Sequence, residues 1–276
     1  MTMPLQLSWD RAGSGEPLLL LHGIGSTHRD FAALRPRLDA RYAVLAPDLP
    51  GLGDSAPLPV LPTVAAIADA LEADLDTLGL DRVHVLGSSL GGRLALELAV
   101  RGRARSVVAL APSGLNLPVE RLNQGLTMGA MRLTVRALRP LLEAATRYRP
   151  TRAPLLTGLR SMPWLAGEDD ARAMVDGFGG SPDFWRLLKW AILADVPSGL
   201  DRIDCPVRLA QGTADVIASG QTPRYLALIP GARFQPLVGA GHAPQSDAPG
   251  AILSLVREAT AAARGLDDGR VLRATA

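Results

Sequence analysis

Residues 83–92, V-H-V-L-G-S-S-L-G-G, constrain this chain more than any other stretch. Val83, Val85 and Leu86 read as a short buried strand, and Arg93 onward reads as a helix. Between them Gly87, Ser89 and Gly91 spell G-x-S-x-G, a tight strand-to-helix turn that lifts one serine hydroxyl clear of a sheet. The residue at the apex of such a turn sits in a strained backbone conformation. Strand and helix approach so closely there that side chains two residues to either side would collide. The turn also aims the backbone N–H of Leu90, at the start of the helix, toward any carbonyl that Ser89 attacks.

The rest of the chain supplies the sheet that such a turn needs. Leu5, Leu7 and Trp9 alternate with polar residues, as on an edge strand with one buried face. Residues 18–21 are all leucine, which suits a central strand covered on both faces. Residues 42–46, 107–111, 207–210 and 234–238 read as further strands. A helix opens at Pro62 and Thr63, with Thr63 as its N-cap. Val64, Ile67, Leu71, Leu75 and Leu78 form its apolar stripe, and Gly79 is its stop. The helix after the serine turn puts Leu90, Leu94 and Leu98 inward, with Arg93, Glu97 and Arg101 along its outer face. Further helices are predicted around 223–228 and over 248–263. This alternation predicts an α/β fold, a mostly parallel sheet flanked by helices on both faces. From about 115 to 204 the rhythm breaks into helical patterns interrupted by prolines. The chain of 276 residues therefore reads as a core of 1–114 and 205–276, with 115–204 inserted as a helical cap over the strand ends.

A serine hydroxyl is a poor nucleophile at neutral pH. It needs a histidine to take its proton and a carboxylate to fix that imidazole's tautomer and stabilise its cation. In this architecture the order is serine, acid, histidine, each just past a strand. Asp215 follows the 207–210 strand in Q-G-T-A-D, and His242 follows the last strand in G-A-G-H-A-P, so Ser89, Asp215 and His242 form the predicted triad. The loop after the leucine strand, His22-Gly23-Ile24, offers the Ile24 N–H as a second oxyanion donor beside Leu90. His22 itself reads as a structural residue hydrogen-bonded within that loop.

The sequence resembles the α/β-hydrolase superfamily. The resemblance rests on H-G at His22 and Gly23, D-x-P-G-x-G-x-S at Asp48 to Ser55, the turn at Gly87 to Gly91, G-x-x-D at Gly212 to Asp215, and G-A-G-H-A-P at Gly239 to Pro244. It implies a Ser-His-Asp hydrolase with a helical cap that needs no cofactor and acts on a small-molecule substrate. Haloalkane dehalogenases and epoxide hydrolases of this superfamily use aspartate where this chain has Ser89. The branch that hydrolyses carbon–carbon bonds usually carries serine after the H-G and tryptophan after the histidine, where this chain has Ile24 and Ala243. The resulting expectation is a carboxylic ester hydrolase for a small to medium hydrophobic substrate. Carbon–carbon cleavage of a vinylogous diketone, and slow-turnover ligand binding on the same fold, are the alternatives.

For the substrate pocket, His28 lies shortly after the oxyanion loop. Residues 115–204 hold Trp164, Trp185 and Trp190 with Met128, Met131, Met162 and Met174. His28, Trp164 and Trp185 are the substrate-contact candidates, although large residues at helical spacing also suit a small insertion building its own core. His84 reads as a packed, hydrogen-bonded strand residue and Cys205 as buried and inert. The single cysteine gives no internal disulfide, and the four histidines have no metal-ligand spacing. A net charge of +2 gives no reason to expect a nucleic-acid partner. No apolar run is long enough for membrane insertion and no signal pattern opens the chain, so a cytoplasmic enzyme is the expectation.

Overall fold

The computed structural model describes residues 7–157, 160–218 and 220–267. Leu5, part of the predicted first strand, lies outside them. Seven strands form one sheet: β1 (Trp9–Ala12), β2 (Glu16–Leu21), β3 (Tyr42–Pro47), β4 (Val83–Ser88), β5 (Ala104–Leu110), β6 (Val207–Gly212) and β7 (Arg233–Leu237). Their order is β1-β3-β2-β4-β5-β6-β7, with β1 antiparallel to β3 and every other pairing parallel. The helices are α1 (Arg35–Leu38), α2 (Val64–Thr77), α3 (Leu90–Val100), α4 (Pro118–Ala137), α5 (Arg139–Thr146), α6 (Arg149–Leu156), α7 (Glu168–Gly180), α8 (Phe184–Leu187), α9 (Gln221–Leu228) and α10 (Pro249–Asp267).

The alternation of side chains along buried strands sorts them onto two faces. Leu19, Leu21, Val83, Val85, Val107 and Leu209 join Ile67, Leu71, Leu94 and Leu98 of α2 and α3 in one core. Leu18, Leu20, Val44, Leu86, Val108 and Ala210 face Leu34 and Leu38 near and in α1, and Ile252, Leu255 and Val256 of α10. The leucine run is continuous because each leucine of β2 is covered on one face or the other. Thr63 caps α2 by accepting the Ala66 N–H at 3.2 Å. The edge strand is tied to α2 by Asp74, which accepts Trp9 Nε1–H at 2.7 Å and the Leu7 N–H at 3.3 Å.

Three details differ from the sequence reading. The first strand, read over Leu5, Leu7 and Trp9, begins only at Trp9 and runs to Ala12. Arg93 is buried, and its guanidinium donates to Glu97 at 3.3 Å and Asp195 at 3.1 Å. The segment carrying Asp195 covers a helix face that charge spacing alone assigns to solvent. The last strand ends at Leu237, leaving Val238 exposed beyond the sheet edge. Between β5 and β6 the chain forms α4 to α8 and shorter helical turns, with no named strand among the described residues. No helix among the described residues is long and apolar enough to cross a membrane.

The serine turn is set by backbone-on-backbone packing. A Cβ on Gly91 would overlap the Leu21 carbonyl, and one on Gly87 would overlap the Gly91 carbonyl. Gly91→Ala is therefore expected to cost about 4 kcal/mol, seen as a fall of roughly 10 °C or more in thermal melting. Gly79→Ala tests the argument from the other side. Gly79 has open space around it, so only its φ of +69° resists the change, and the loss should be about 1 kcal/mol.

Candidate active site

Ser89 sits between β4 and α3 with φ +55° and ψ −113°, a conformation that non-glycine residues rarely adopt. Its N–H donates to Leu110 O at 2.8 Å, and its carbonyl accepts the Arg93 N–H at 3.0 Å. The loop after β2 lies directly on it, since a Cβ on Gly23 would stand 3.2 Å from Ser89 Cβ. Ile24 follows Gly23 in that loop, and Leu90 opens α3. Neither N–H has a protein acceptor among the described residues.

Asp215 and His242 are brought together from the loops after β6 and β7. Gly212 lets these loops meet, because a Cβ there would overlap the Ala240 carbonyl; the Ala214 N–H donates to that carbonyl at 2.9 Å. His242 Nδ1 lies 3.0 Å from Asp215 Oδ2. Asp215 also accepts the N–H groups of Ile217 (2.8 Å) and Ala218 (3.0 Å) and the Gln211 side-chain amide (3.1 Å). Burial alone would raise its pKa, but the charge of His242 and these hydrogen bonds outweigh it and bring it down to about 2. An ionised Asp215 makes Nδ1 the protonated ring nitrogen and leaves Nε2 as the acceptor. Burial opposes charge on His242 too, yet the charge and hydrogen bond of Asp215, with the charge of Asp30, raise its pKa. Ser89 and His242 line one cavity; no hydrogen bond joins them in this structure.

That cavity is also lined by Gly23, Ile24, Gly25 and Ser26 of the β2 loop, and by Met128, Leu156, Met174 and Phe178 from the helices between β5 and β6. Part of its wall is charged: Asp30, Arg160 and Asp170. Arg160 donates to Asp30 at 3.1 Å, to Asp170 at 2.8 Å and to the Ala243 carbonyl at 2.6 Å, next to His242. Gln245 donates to Asp30 at 2.8 Å and Ser246 to Asp170 at 2.7 Å. Asp247 accepts the N–H groups of Gly241 (2.9 Å), Ser161 (3.0 Å) and Met162 (3.1 Å). Residues 160–170 thus clamp the loop that carries the histidine. This cluster was not foreseen from the sequence. The signal available was three charges in different segments, which locally read as solvent-facing.

The substrate-contact candidates need correction. His28 lies outside the cavity: its ring Nδ1 is 2.9 Å from Asp48 Oδ1, and its backbone N–H donates to the same oxygen at 2.8 Å. Asp48 anchors the glycine loop as well, accepting the Asp54 N–H at 2.9 Å. Trp164 is 58% exposed and Trp185 is 47% exposed, and neither lines the cavity. Trp185 packs edge-on to Phe184 and over Gly129 on the outside of α4, where the short helix α8 directs it. Met128 and Met174 do line the cavity, while Met162 stands near Gly239. His22 holds two loops together: Leu49 N–H donates to its Nε2 at 3.0 Å and its Nδ1 is 2.9 Å from Gly23 O. Burial lowers its pKa, so it is neutral with the proton on Nδ1. His84 bonds Ser106 Oγ at 2.8 Å, and burial pushes the Cys205 thiol up to about 11. No group of His, Cys, Asp and Glu among the described residues is arranged to hold a metal ion.

Asp30 behaves opposite to Asp215. Burial raises its pKa and the Asp170 charge adds to this, while Arg160, His242 and Gln245 pull it back, leaving it at about 6. Its folded pKa thus exceeds the ordinary carboxylate value of 3.8, so the native state holds this proton more tightly than the unfolded chain does. The stabilisation it contributes is complete below pH 3.8 and is lost as pH rises to about 6. Thermal melts of wild type and Asp30→Asn across this window should differ in slope, the wild type losing stability relative to the variant as pH rises.

Residues 18–255 match the Alpha/beta hydrolase family. A pimeloyl-[acyl-carrier protein] methyl ester esterase of Neisseria meningitidis serogroup A is 31% identical over 268 residues, covering 92% of this chain and 79% of the relative. The epoxide hydrolase EphH of Mycobacterium tuberculosis is 31% identical over 199 residues, 70% of this chain and 92% of the relative. The meta-cleavage product hydrolase of Pseudomonas fluorescens IP01 shares the fold with a TM-score of 0.71 at 21% identity, over 92% of this chain and 93% of that one. With the family matched over most of its length, the chain belongs to the alpha/beta hydrolases.

Proposed function

We propose that this protein is a serine hydrolase that cleaves a carboxylic ester of a small to medium hydrophobic substrate, with residues 115–204 serving as its cap. The observation that carries the reading is Ser89, strained and buried, sharing a cavity with a histidine whose far nitrogen is held by an ionised Asp215. Ser89 Oγ attacks the acyl carbon while His242 Nε2 takes its proton. Asp215 stabilises the resulting imidazolium. The N–H groups of Leu90 and Ile24 donate hydrogen bonds to the oxyanion. His242 then protonates the departing alkoxide, and water attacks the acyl-enzyme by the same route in reverse. No step needs a cofactor. The methyl ester esterase named among the relatives supports an ester substrate. Ser89 stands where an epoxide-opening aspartate would be needed.

Nitrophenyl ester turnover tests this. Ser89→Ala and His242→Ala should each lower kcat on the order of 10⁶-fold, and Asp215→Asn on the order of 10⁴-fold. Wild-type rates in Ser89→Ala would refute the scheme. The rate should rise with pH along a limb above the ordinary imidazole value of 6.5, because only neutral His242 accepts the proton. Asp30→Asn should move that limb to lower pH, since one carboxylate stabilising the imidazolium is gone. A vinylogous 1,5-diketone in the same assay measures carbon–carbon cleavage, and steady turnover beyond a stoichiometric burst separates an enzyme from a ligand-binding protein.

A further inference from the structure

The cavity beside Ser89 has about 40 Å³ of open space. A water needs on the order of 10–15 Å³ on this measure, so only a few small atoms fit there. Behind its apolar wall lies a much larger space. An open groove of about 690 Å³ runs between α4, α5 and α6, lined by apolar side chains such as Ala130, Val135, Leu142 and Leu155 and by no charged residue. The two spaces are back to back. Leu155 lines the groove and its neighbour Leu156 the cavity; Thr127 lines the groove and its neighbour Met128 the cavity. Met174 lines both. At that point the two spaces are separated by the unbranched side chain of Met174, which is itself buried.

Resting on the ester reading above, we propose that the groove is a subsite for the linear hydrocarbon chain of the acyl group, joined to the cavity when the Met174 side chain rotates aside. The chain would run from Ser89 past Met174 and lie along α4 and α6. Three features point to this occupant. The groove and the cavity share one wall residue, Met174. Moving one unbranched side chain would open a passage suited to a methylene chain rather than to a ring. The lining carries no charge to meet a headgroup, a carboxylate or an acidic protein. Thioether side chains also adapt to a flexible alkyl chain better than branched ones.

The test uses nitrophenyl acetate, butyrate, octanoate and dodecanoate with three proteins: wild type, Thr134→Trp and Met174→Ala. Thr134 is an exposed α4 residue lining the groove, so a tryptophan there fills it from the solvent side without entering the core. The readout is the ratio of kcat/KM for dodecanoate to that for butyrate. Thr134→Trp should lower it at least tenfold and Met174→Ala should raise it. In parallel, calorimetry measures dodecanoate binding to Ser89→Ala with and without Thr134→Trp, which should weaken it at least tenfold. If both ratio and affinity change by less than threefold in variants that melt like wild type, the groove proposal is overturned while ester hydrolysis stands. If no ester turns over but dodecanoate binding still responds to Thr134→Trp, the ester reading fails and the subsite stands.

Discussion

Everything in this molecule depends on backbones meeting at β2, β4 and the start of α3 with no side chain between them. Gly91 rests on the Leu21 carbonyl, Gly87 on the Gly91 carbonyl, and Gly23 on Ser89. These contacts leave the chain no relaxed path from strand to helix, so Ser89 is held at φ +55°. Strain of this kind persists only where the surroundings over-determine it. Here the Leu110 carbonyl, the Arg93 N–H and two packed glycines do so. The same closeness brings the Gly23–Ile24 backbone over the serine, so the position of Ser89 and that of the loop are one constraint.

Two aspartates flank His242 and differ through environment alone. Asp215 accepts hydrogen bonds from two backbone N–H groups, an amide and the ring, and stays ionised well into acid. Asp30 shares one guanidinium with Asp170 in a buried cluster, so two carboxylates compete for a single cation. A buried ion cluster is weak evidence for stability, because desolvation offsets most of the Coulombic gain. Its geometric effect is clearer. It joins segments separated by 130 residues, Asp30 and Arg160, to the carbonyl beside His242.

Much of the fold was legible because it rests on local patterns. Four leucines in a row, an N-cap threonine and glycine-framed loops each identify themselves within a few residues. Asp215 and His242 were legible because strand ends mark where side chains converge. What escaped depended on partners far along the chain. Arg93 looked solvent-facing beside Glu97 until the segment with Asp195 covered it. His28 looked like a substrate contact until Asp48, 20 residues on, claimed both its ring and its backbone N–H. The tryptophans were misplaced for the opposite reason: bulk suggests a pocket wall, yet an indole can also lie half-covered on a surface. No periodicity could show that Asp30, Arg160 and Asp170 meet.

Helix α7 touches the core through Gly177, where a Cβ would overlap the backbone of Gly25 and Ser26. Met174, about one turn before it, and Phe178, the very next residue, face the cavity. The seat and the lining are therefore different residues of one helix. Substitutions at Met174 or Phe178 reshape the cavity wall, while the close contact at Gly177 keeps the backbone in place. Diversification on this scaffold is free at some helical positions and forbidden at their immediate neighbours.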